Sequence, residues 1–228
     1  MKTVLIIGAS KGIGNALLAN LLPNNTKVIN LSRTLPKQNH ENLVNFQCDI
    51  LKDDLPNIDA IDSLVYCPGS INLKPISRLS LDEFRQDFEI NVLGAVKAIK
   101  HYLPLIKNGN NPSILLFSTV AAKLGMPFHA SIATAKSGVE GLVKSLGAEL
   151  APTIRINAIA PTVTKTDLSS KILRNEKMIE NITQRHPLKK ILDPVEVADM
   201  ATFLISDKAK SISGQIFEID CGIVTFKI

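Results

Sequence analysis

Short, almost wholly apolar segments alternate with longer helical patterns along the chain, and this alternation limits the possible folds most strongly. Because most of the short segments are apolar on both faces, they fit strands that are covered on both sides. The alternation predicts an α/β fold, a single parallel sheet with helices on both faces, doubly wound through right-handed crossovers. The predicted strands are residues 3–7, 27–31, 44–48, 63–67, 113–118, 154–160 and 215–220.

The helical patterns lie between these strands, and two of them begin with capping signals. Ser80, followed three residues later by Glu83, fits a capping box. Asp193 before Pro194 combines an N-cap residue with a first-turn proline. The predicted helices are residues 13–22, 81–107, 131–150 and 194–205.

No linker, internal repeat or low-complexity segment divides the chain, so residues 1–228 are predicted to form one domain. Residues 162–192 are the least regular stretch, and we interpret them as a mobile flap over a site; an ordinary surface excursion is the alternative. The N-terminal apolar run is too short for a signal peptide, and no stretch reaches the length of a membrane span. A soluble cytoplasmic protein without a membrane partner is expected.

Composition excludes further classes of function. With 45% hydrophobic and 21% charged residues, the chain has ordinary globular usage and is not disordered. Aromatic residues make up 4% and Trp is absent, so no stacking platform for nucleic acid is expected. The net charge of +5 comes from scattered cations that fit a solvated surface. Cys48, Cys67 and Cys221 are too far apart for a zinc motif, so no metal site is predicted.

A glycine-rich turn follows the first predicted strand and opens the first helix. Glycines let the backbone approach a pyrophosphate, and free amides at a helix start favour anions. The strand–turn–helix context indicates dinucleotide binding rather than a purely structural turn. This segment supplies six predicted cofactor contacts, at Gly8, Ser10, Lys11, Gly12, Ile13 and Gly14.

The ends of the next two strands indicate which dinucleotide is bound. An acid after the second strand would hold the 2′-hydroxyl of NAD, whereas arginine accommodates the 2′-phosphate of NADP. Ser32 and Arg33 stand there instead of an acid, and Lys11 adds a second cation. NADP(H) is therefore favoured over NAD(H), with two solvated surface cations as the alternative. Asp49, followed by Ile50, could meet the adenine edge or serve only as a turn residue.

These features, with four further segments, resemble the short-chain dehydrogenase/reductase family over essentially the whole chain. Residues 67–69 (Cys-Pro-Gly) stand where that family has Asn-Ala-Gly, and residues 90–92 (Ile-Asn-Val) are similar to its helix asparagine segment. Residues 117–120 resemble its serine-bearing strand end, and residues 161–166 its segment beside nicotinamide and phosphate. The resemblance implies a seven-stranded Rossmann fold, a small-molecule substrate and a homo-oligomer, usually a tetramer. It also implies cofactor contacts at Pro68, Gly69, Thr164 and Thr166.

The family's Tyr-x-x-x-Lys motif is only half kept. Residues 132–136 read Ile-Ala-Thr-Ala-Lys, so Lys136 is present and Ile132 replaces the tyrosine. The resemblance assigns Lys136 to the ribose hydroxyls and Thr119 to the substrate oxygen. It assigns Asn91 to a water linked to the lysine, with an ordinary polar helix residue as the alternative. Because a positioned general acid contributes about 10²–10⁴-fold, another group must stabilise the oxyanion.

His129 is the candidate for that group, as an acid or as an oxyanion donor. Residues 129, 132 and 136 share one helical stripe if the helix begins early enough. A helix-entry histidine bound to the backbone is the alternative for His129, and Ser131 is interpreted as a helix cap. A histidine seven residues before the lysine is similar to the tyrosine layout of the family's enoyl-thioester reductases.

The sequence therefore predicts an NADPH-dependent reductase of a small carbonyl or α,β-unsaturated carbonyl compound. Enoyl reduction makes an enolate whose oxygen needs stabilisation more than immediate protonation, so loss of the phenol should harm that reaction less. The alternative is a non-catalytic NADP(H)-binding protein that acts as a sensor or an assembly subunit.

Overall fold

The computed structural model describes residues 1–226, in which seven strands form one parallel sheet of order β3-β2-β1-β4-β5-β6-β7. This confirms the predicted doubly wound α/β fold and all seven predicted strands. The elements in chain order are β1 (Lys2–Ile7), α1 (Gly12–Leu21), β2 (Thr26–Ser32), β3 (Leu43–Gln47), β4 (Ser63–Tyr66), α2 (Leu81–Phe88), α3 (Gly94–Lys107), β5 (Ser113–Phe117), α4 (Ala130–Leu150), β6 (Arg155–Pro161), α5 (Glu176–Arg185), α6 (Pro194–Ile205) and β7 (Ile216–Ile219).

The two faces of the sheet bury separate apolar layers. Leu5 and Ile7 of β1 pack in the layer that contains α3 and α4. Val4 and Ile6 of the same strand pack in the layer that contains α1 and α6. Successive side chains of a strand point to opposite faces, so a strand covered on both sides has to be apolar at every position.

The strand order creates a crevice at the carboxyl edge of the sheet. β1 pairs with β2 on one side and with β4 on the other, so the chain crosses the sheet between β3 and β4. The segments after β1 and β4 therefore leave neighbouring strands for opposite faces. Ligands of open α/β sheets bind at such a switch point.

Two helix predictions need correction. The predicted helix over residues 81–107 is helical throughout but consists of α2, a π-helical segment (Glu89–Leu93) and α3. Residues 162–192 contain α5, which the sequence analysis did not predict. α5 is amphipathic, but most of its residues are polar and none is buried, so the sequence analysis did not separate it from the surrounding loop.

The caps predicted at Ser80 and Asp193 are confirmed. The side chain of Ser80 accepts a hydrogen bond from the amide of Glu83 at 3.2 Å, as a capping box requires. Asp193 caps α6, with Pro194 in the first turn. Among residues 1–226, none of the helices combines the length and apolar character needed to cross a bilayer.

Candidate active site

The glycine turn after β1 holds the start of α1 against the sheet edge. Gly8 and Gly12 have φ angles of +87° and +54°, in the left-handed region that favours glycine. A Cβ atom at Gly14 would lie 2.2 Å from the carbonyl oxygen of Gly8. Lys11 is the N-cap residue of α1 and no side chain caps this helix, so its first amides are left for an anion.

Polar contacts at the end of β2 fix the other side of this turn. Asn30 is fully buried, and its Oδ1 accepts the amide of Ala9 at 3.0 Å. Its Nδ2 donates to Ser32 Oγ at 2.9 Å, and Ser32 Oγ donates to the carbonyl of Thr34 at 2.7 Å. Arg33 is exposed beside them and takes part in none of the salt bridges found among residues 1–226.

The residues that follow β3 form a turn. Asp49 is half-buried, and its Oδ1 accepts the amide of Leu51 at 3.1 Å. Its own amide donates to Asp53 Oδ2 at 2.7 Å. Asp49 therefore has the turn role that the sequence analysis gave as its alternative. Ile50 is buried in the apolar core, so its side chain is directed away from the crevice.

A cavity of about 180 Å³ lies between the segments that follow β4, β5 and β6 and the start of α4. It brings together seven of the predicted site residues: Ile13, Gly69, Thr119, His129, Lys136, Thr164 and Thr166. The other predicted site residues do not line it: Gly8, Ser10, Lys11, Gly12, Gly14, Ser32, Arg33, Asp49, Ile50, Pro68 and Asn91.

Lys136 places a buried cation at the floor of this cavity. Its side chain is 9% exposed, and Nζ donates to the carbonyl of Phe117 at 2.7 Å. Burial lowers the pKa of Lys136 to about 8, while Cys67 and Asp87 act in the opposite direction. Burial also raises the pKa of the Cys67 thiol to about 12. An ammonium has three donors, so Lys136 can bind further acceptors in the cavity.

Asn91 belongs to the π-helical segment, and its side chain lies next to Gly69. π-Helical distortions often occur at functional sites. Its Nδ2 donates to the carbonyl of Asp87 at 2.7 Å and to Ser70 Oγ at 3.1 Å. Its buried Oδ1 has no hydrogen-bond partner within the described residues. A Cβ atom at Gly69 would lie 3.1 Å from this oxygen and 3.7 Å from Lys136 Nζ. An unsatisfied acceptor and an ammonium therefore adjoin the same space.

Two neighbouring hydroxyl groups follow β5, and they differ in what they bind. Ser118 Oγ donates to Glu140 Oε1 at 2.7 Å, so its proton is engaged inside the protein. Thr119 Oγ1 accepts the amide of Ala121 at 3.4 Å and lines the cavity. Of the two hydroxyl groups, that of Thr119 can therefore donate a hydrogen bond to a bound molecule.

The cavity wall one helical turn before Lys136 is apolar. Ile132 lines the cavity and is 3% exposed. The chain has two tyrosines, and both hydroxyls are bound elsewhere. Tyr66 donates to the carbonyl of Ile90 at 2.6 Å, and Tyr102 to that of Pro56 at 3.0 Å. No phenol of the chain therefore faces the cavity.

His129 lines the cavity from a different position than predicted. α4 begins at Ala130 with His129 as its N-cap residue, so the helix begins one residue too late for the expected stripe, although His129, Ile132 and Lys136 all line the cavity. His129 Nδ1 is 2.7 Å from the carbonyl oxygen of Pro127 and must donate to it. Nε2 of the neutral ring then has no proton, and only the imidazolium can donate from it. This backbone bond is the one expected of a structural histidine.

The cap predicted at Ser131 is also wrong. This residue is 1% exposed, and its Oγ donates to Asp87 Oδ2 at 2.6 Å. The sequence analysis did not identify Asp87 or Ser70 as site residues. The one signal in the sequence is that Asp87 precedes Asn91 by four residues and thus shares its helix face.

The segment that follows β6 packs against the glycine turn and lines one side of the crevice. The Thr166 methyl group lies 3.2 Å from the point where Gly12 would carry a Cβ atom. The exposed side chains of Lys11 and Asp167 form an ion pair at 2.9 Å. Thr164 Oγ1 donates to the carbonyl two residues earlier at 2.9 Å. Part of the segment interpreted as a flap therefore lies directly over the glycine turn.

These residues fit a dinucleotide. The turn leaves a space that a Cβ atom at Gly14 would fill, and α1 starts without a side-chain cap. The cavity at the other end of the crevice offers an ammonium at Lys136 and an unsatisfied oxygen at Asn91. Anion-binding amides and hydroxyl-binding groups are what a pyrophosphate and a ribose require. In the described part of the chain, no cluster of His, Cys, Asp and Glu could hold a metal ion.

Comparison with known proteins agrees with this geometry. Residues 46–224 match the family model described as enoyl-(acyl carrier protein) reductase. A 3-oxoacyl-(acyl-carrier-protein) reductase of Rickettsia felis is 31% identical over 98% of this chain and 97% of its own. Ligand-free aldohexose dehydrogenase of Thermoplasma acidophilum superposes with a TM-score of 0.90, at 29% identity over 99% of this chain and 95% of its own. The structure of ElxO with NADP bound superposes with a TM-score of 0.87, at 25% identity over 99% of each chain.

Proposed function

The chain belongs to the short-chain dehydrogenase/reductase family, and from that premise we propose that it is an NADPH-dependent oxidoreductase acting on a small carbonyl or α,β-unsaturated carbonyl compound. One observation carries this proposal: a buried ammonium and an unsatisfied amide oxygen adjoin one space at the end of a glycine-lined crevice. The NADP bound to ElxO and the reductase activity named for the Rickettsia relative support it.

The coenzyme lies along the crevice in this proposal. The amides from Gly8 to Gly14, with Ser10, Gly12 and Ile13, bind the pyrophosphate, and Lys11 adds positive charge. Ser32 and Arg33 hold the 2′-phosphate, and Asp49 and the backbone of Ile50 meet the adenine. Backbone groups at Pro68 and Gly69 bind the ribose, while Thr164 and Thr166 bind the nicotinamide and phosphate. The bound coenzyme supplies the hydride.

Three side chains prepare the reaction. Lys136 has donors left after its bond to Phe117, so it binds the ribose hydroxyls and adds positive charge to the site. Asn91 Oδ1 is a buried acceptor without a partner, and a water held there would link it to Lys136. Thr119 donates its hydroxyl proton to the substrate oxygen and so stabilises the charge that develops there.

His129 takes the role of the missing phenol, as the acid or as the donor to the oxyanion. Since Nδ1 is held by the Pro127 carbonyl, Nε2 donates only from the imidazolium. Ile132 in place of a phenol disfavours direct protonation of an alkoxide and favours enoyl over ketone substrates.

The same chain supports a second candidate of a different class. A protein that binds NADP(H) without turnover would keep the glycine turn and Lys136 and could lose the phenol. The observation that favours it is the apolar Ile132 wall in an otherwise complete cofactor crevice. Such a protein would act as a sensor or an assembly subunit.

A homo-oligomer, usually a tetramer in this family, is part of the proposal. An apolar groove between α2 and α4 exposes Phe88 and Leu93 by 39% and 43%. Gly141 stands two turns after Thr134, which lines this groove, and nothing lies within 4 Å of its Cβ position. Gly141→Leu should therefore shift the protein to a smaller species in sedimentation without loss of the folded state. An unchanged species distribution would remove this face from the proposal.

Turnover decides between the enzyme and the sensor. NADPH oxidation should be followed with matched short enoyl and 3-oxoacyl thioesters, with NADPH binding measured in parallel. We expect turnover, faster with the enoyl compounds, and a loss of at least about tenfold in His129→Phe. Turnover of the oxo compounds alone would remove the enoyl preference, and an unchanged rate in His129→Phe would leave this residue structural. Binding without turnover across the panel would support the sensor.

A further inference from the structure

Asp87 is a charged residue buried in the wall of the site, and the cofactor and substrate roles do not use it. It lies in α2, and none of its surface is exposed. Three side chains donate to its carboxyl group: Ser70 to Oδ1 at 2.5 Å, Asn72 to Oδ1 at 3.1 Å and Ser131 to Oδ2 at 2.6 Å. Two of them belong to the segment after β4 and the third to α4, so Asp87 joins three parts of the site.

These contacts fit the ionised form of the carboxyl group, which accepts all three hydrogen bonds. Asn72 Nδ2 can only donate, and the hydroxyls of Ser70 and Ser131 both lie at strong hydrogen-bond distances. A fully buried anion is nevertheless costly unless a cation lies nearby. Lys136 is a buried cation of α4, the helix that also carries Ser131.

The charge on Asp87 acts on Lys136. Burial lowers the pKa of Lys136, and the negative charge of Asp87 opposes this shift, as does Cys67 from the segment after β4. The other titratable groups around this region point elsewhere. Glu140, one turn further along α4, accepts from Ser118, and His129 at the start of α4 donates to Pro127. Glu83, one turn before Asp87 in α2, pairs with Lys74.

Asp87 also fixes the orientation of Asn91. Asn91 donates one amide proton to the Asp87 carbonyl and the other to Ser70 Oγ. Ser70 can accept from Asn91 because its own proton is directed to Asp87. With both protons used, Asn91 Oδ1 faces the space over Gly69 that Lys136 Nζ also adjoins. The buried carboxylate therefore holds the acceptor and the cation of the site in one arrangement.

We propose that Asp87 is a positioning residue: its carboxylate orients Ser70 and Asn91 and is the fixed negative charge that keeps Lys136 an ammonium at neutral pH. The proposal rests on the proposed function only for the use of that ammonium, namely binding the ribose hydroxyls. Coupling between the two charges is a property of the protein without coenzyme and can be measured there.

Asp87→Asn removes the charge and keeps the shape. The new Oδ1 can accept from Asn72 and Ser70, and the new Nδ2 can donate to Ser131 Oγ, since a hydroxyl both donates and accepts. Ser131 then has the carbonyl of Glu83, now 3.4 Å away, as its own acceptor. Ser131→Ala is the matched control, because it removes one hydrogen bond to Asp87 and leaves the charge.

The test is the rate of trace labelling of Lys136 by acetic anhydride between pH 6 and 10. It is read by mass spectrometry on coenzyme-free protein, with exposed Lys144 of the same helix as the internal standard. Only the free amine reacts, so the rate follows deprotonation of Lys136. In Asp87→Asn we expect Lys136 to be labelled at least about threefold faster at pH 6.5, because well below the pKa a fall of half a unit in that pKa raises the free-amine fraction about threefold. Ser131→Ala should keep the wild-type profile.

Unchanged labelling in Asp87→Asn, or the same change in both variants, would overturn the proposal, since packing alone would then explain Asp87. If Asp87→Asn does not fold, the carboxyl ¹³C resonance of Asp87 in the wild-type protein provides the test. It should report a carboxylate from pH 6 to 9, with an inflection as Lys136 titrates. A protonated carboxyl, or no such inflection, would contradict the proposal. Loss of NADPH binding with intact coupling would instead defeat the proposed function alone.

Discussion

At the residue scale, single polar groups in the apolar crevice determine what it can bind. Lys136 donates to one backbone carbonyl, Asn91 has an unsatisfied oxygen, and Arg33 is exposed where a 2′-phosphate would end. Spacing and resemblance predicted these three residues. They could not predict the Asp87 cluster, because its donors come from segments 15 to 44 residues away that only the fold brings together.

Arg33 provides a prediction on coenzyme choice. Arg33→Ala should weaken NADPH binding at least about tenfold and NADH binding much less, because a guanidinium–phosphate contact is a charge-assisted hydrogen bond. Fluorescence titration with both coenzymes measures the difference. Lys37→Ala, at another exposed cation after β2, is the control. Equal weakening of both coenzymes by Arg33→Ala would defeat the NADP preference.

At the element scale, the π-helical segment shows how the helix and the sheet position the site. The Tyr66 hydroxyl donates to the carbonyl of Ile90 in this segment, and a Cβ atom at Gly94 would lie 2.1 Å from that hydroxyl oxygen. The sequence predicted helix here from its periodicity. The extra residue of the π turn depends on contact with β4, which periodicity does not record. α5 was missed for a similar reason, since it buries no residue.

The glycine turn gives a prediction at this scale. Gly14→Ala should lower the free energy of unfolding by about 2 kcal/mol or more and weaken coenzyme binding, because the new methyl group meets the Gly8 backbone. Gly125→Ala is the matched control, since nothing lies within 4 Å of its Cβ position. Urea unfolding of both variants measures the difference. A Gly14→Ala protein as stable as Gly125→Ala would contradict the packing described for the turn.

At the scale of the whole molecule, the continuous apolar strands and the glycine turn sufficed to predict the doubly wound sheet. The inner strands are covered on both faces by the two apolar layers, whereas the edge strand β3 exposes three of its five residues. The position of His129 was not predictable in the same way. The predicted stripe required α4 to include His129, but α4 begins one residue later. His129 is therefore the N-cap residue and not part of the helix face.

The buried ammonium should also affect the stability of the whole protein. Lys136 has a pKa of about 8 when folded and 10.5 as the ordinary value. Between these values the unfolded chain binds more protons than the native one, so this group adds stability as pH rises. Relative to Lys136→Met, the wild type should therefore gain on the order of 3 kcal/mol from pH 8 to 10.5. Lys144→Met is the control, and a constant difference between wild type and Lys136→Met across this range would contradict the burial of a charged lysine.

Calorimetric titration of the folded protein with NADPH tests the central claim most directly. The glycine turn and Lys136 predict saturable binding of one NADPH per chain, weaker by at least about tenfold in Lys136→Met, because a buried charged donor to the ribose is lost. No saturable heat with either NADPH or NADH would contradict the account.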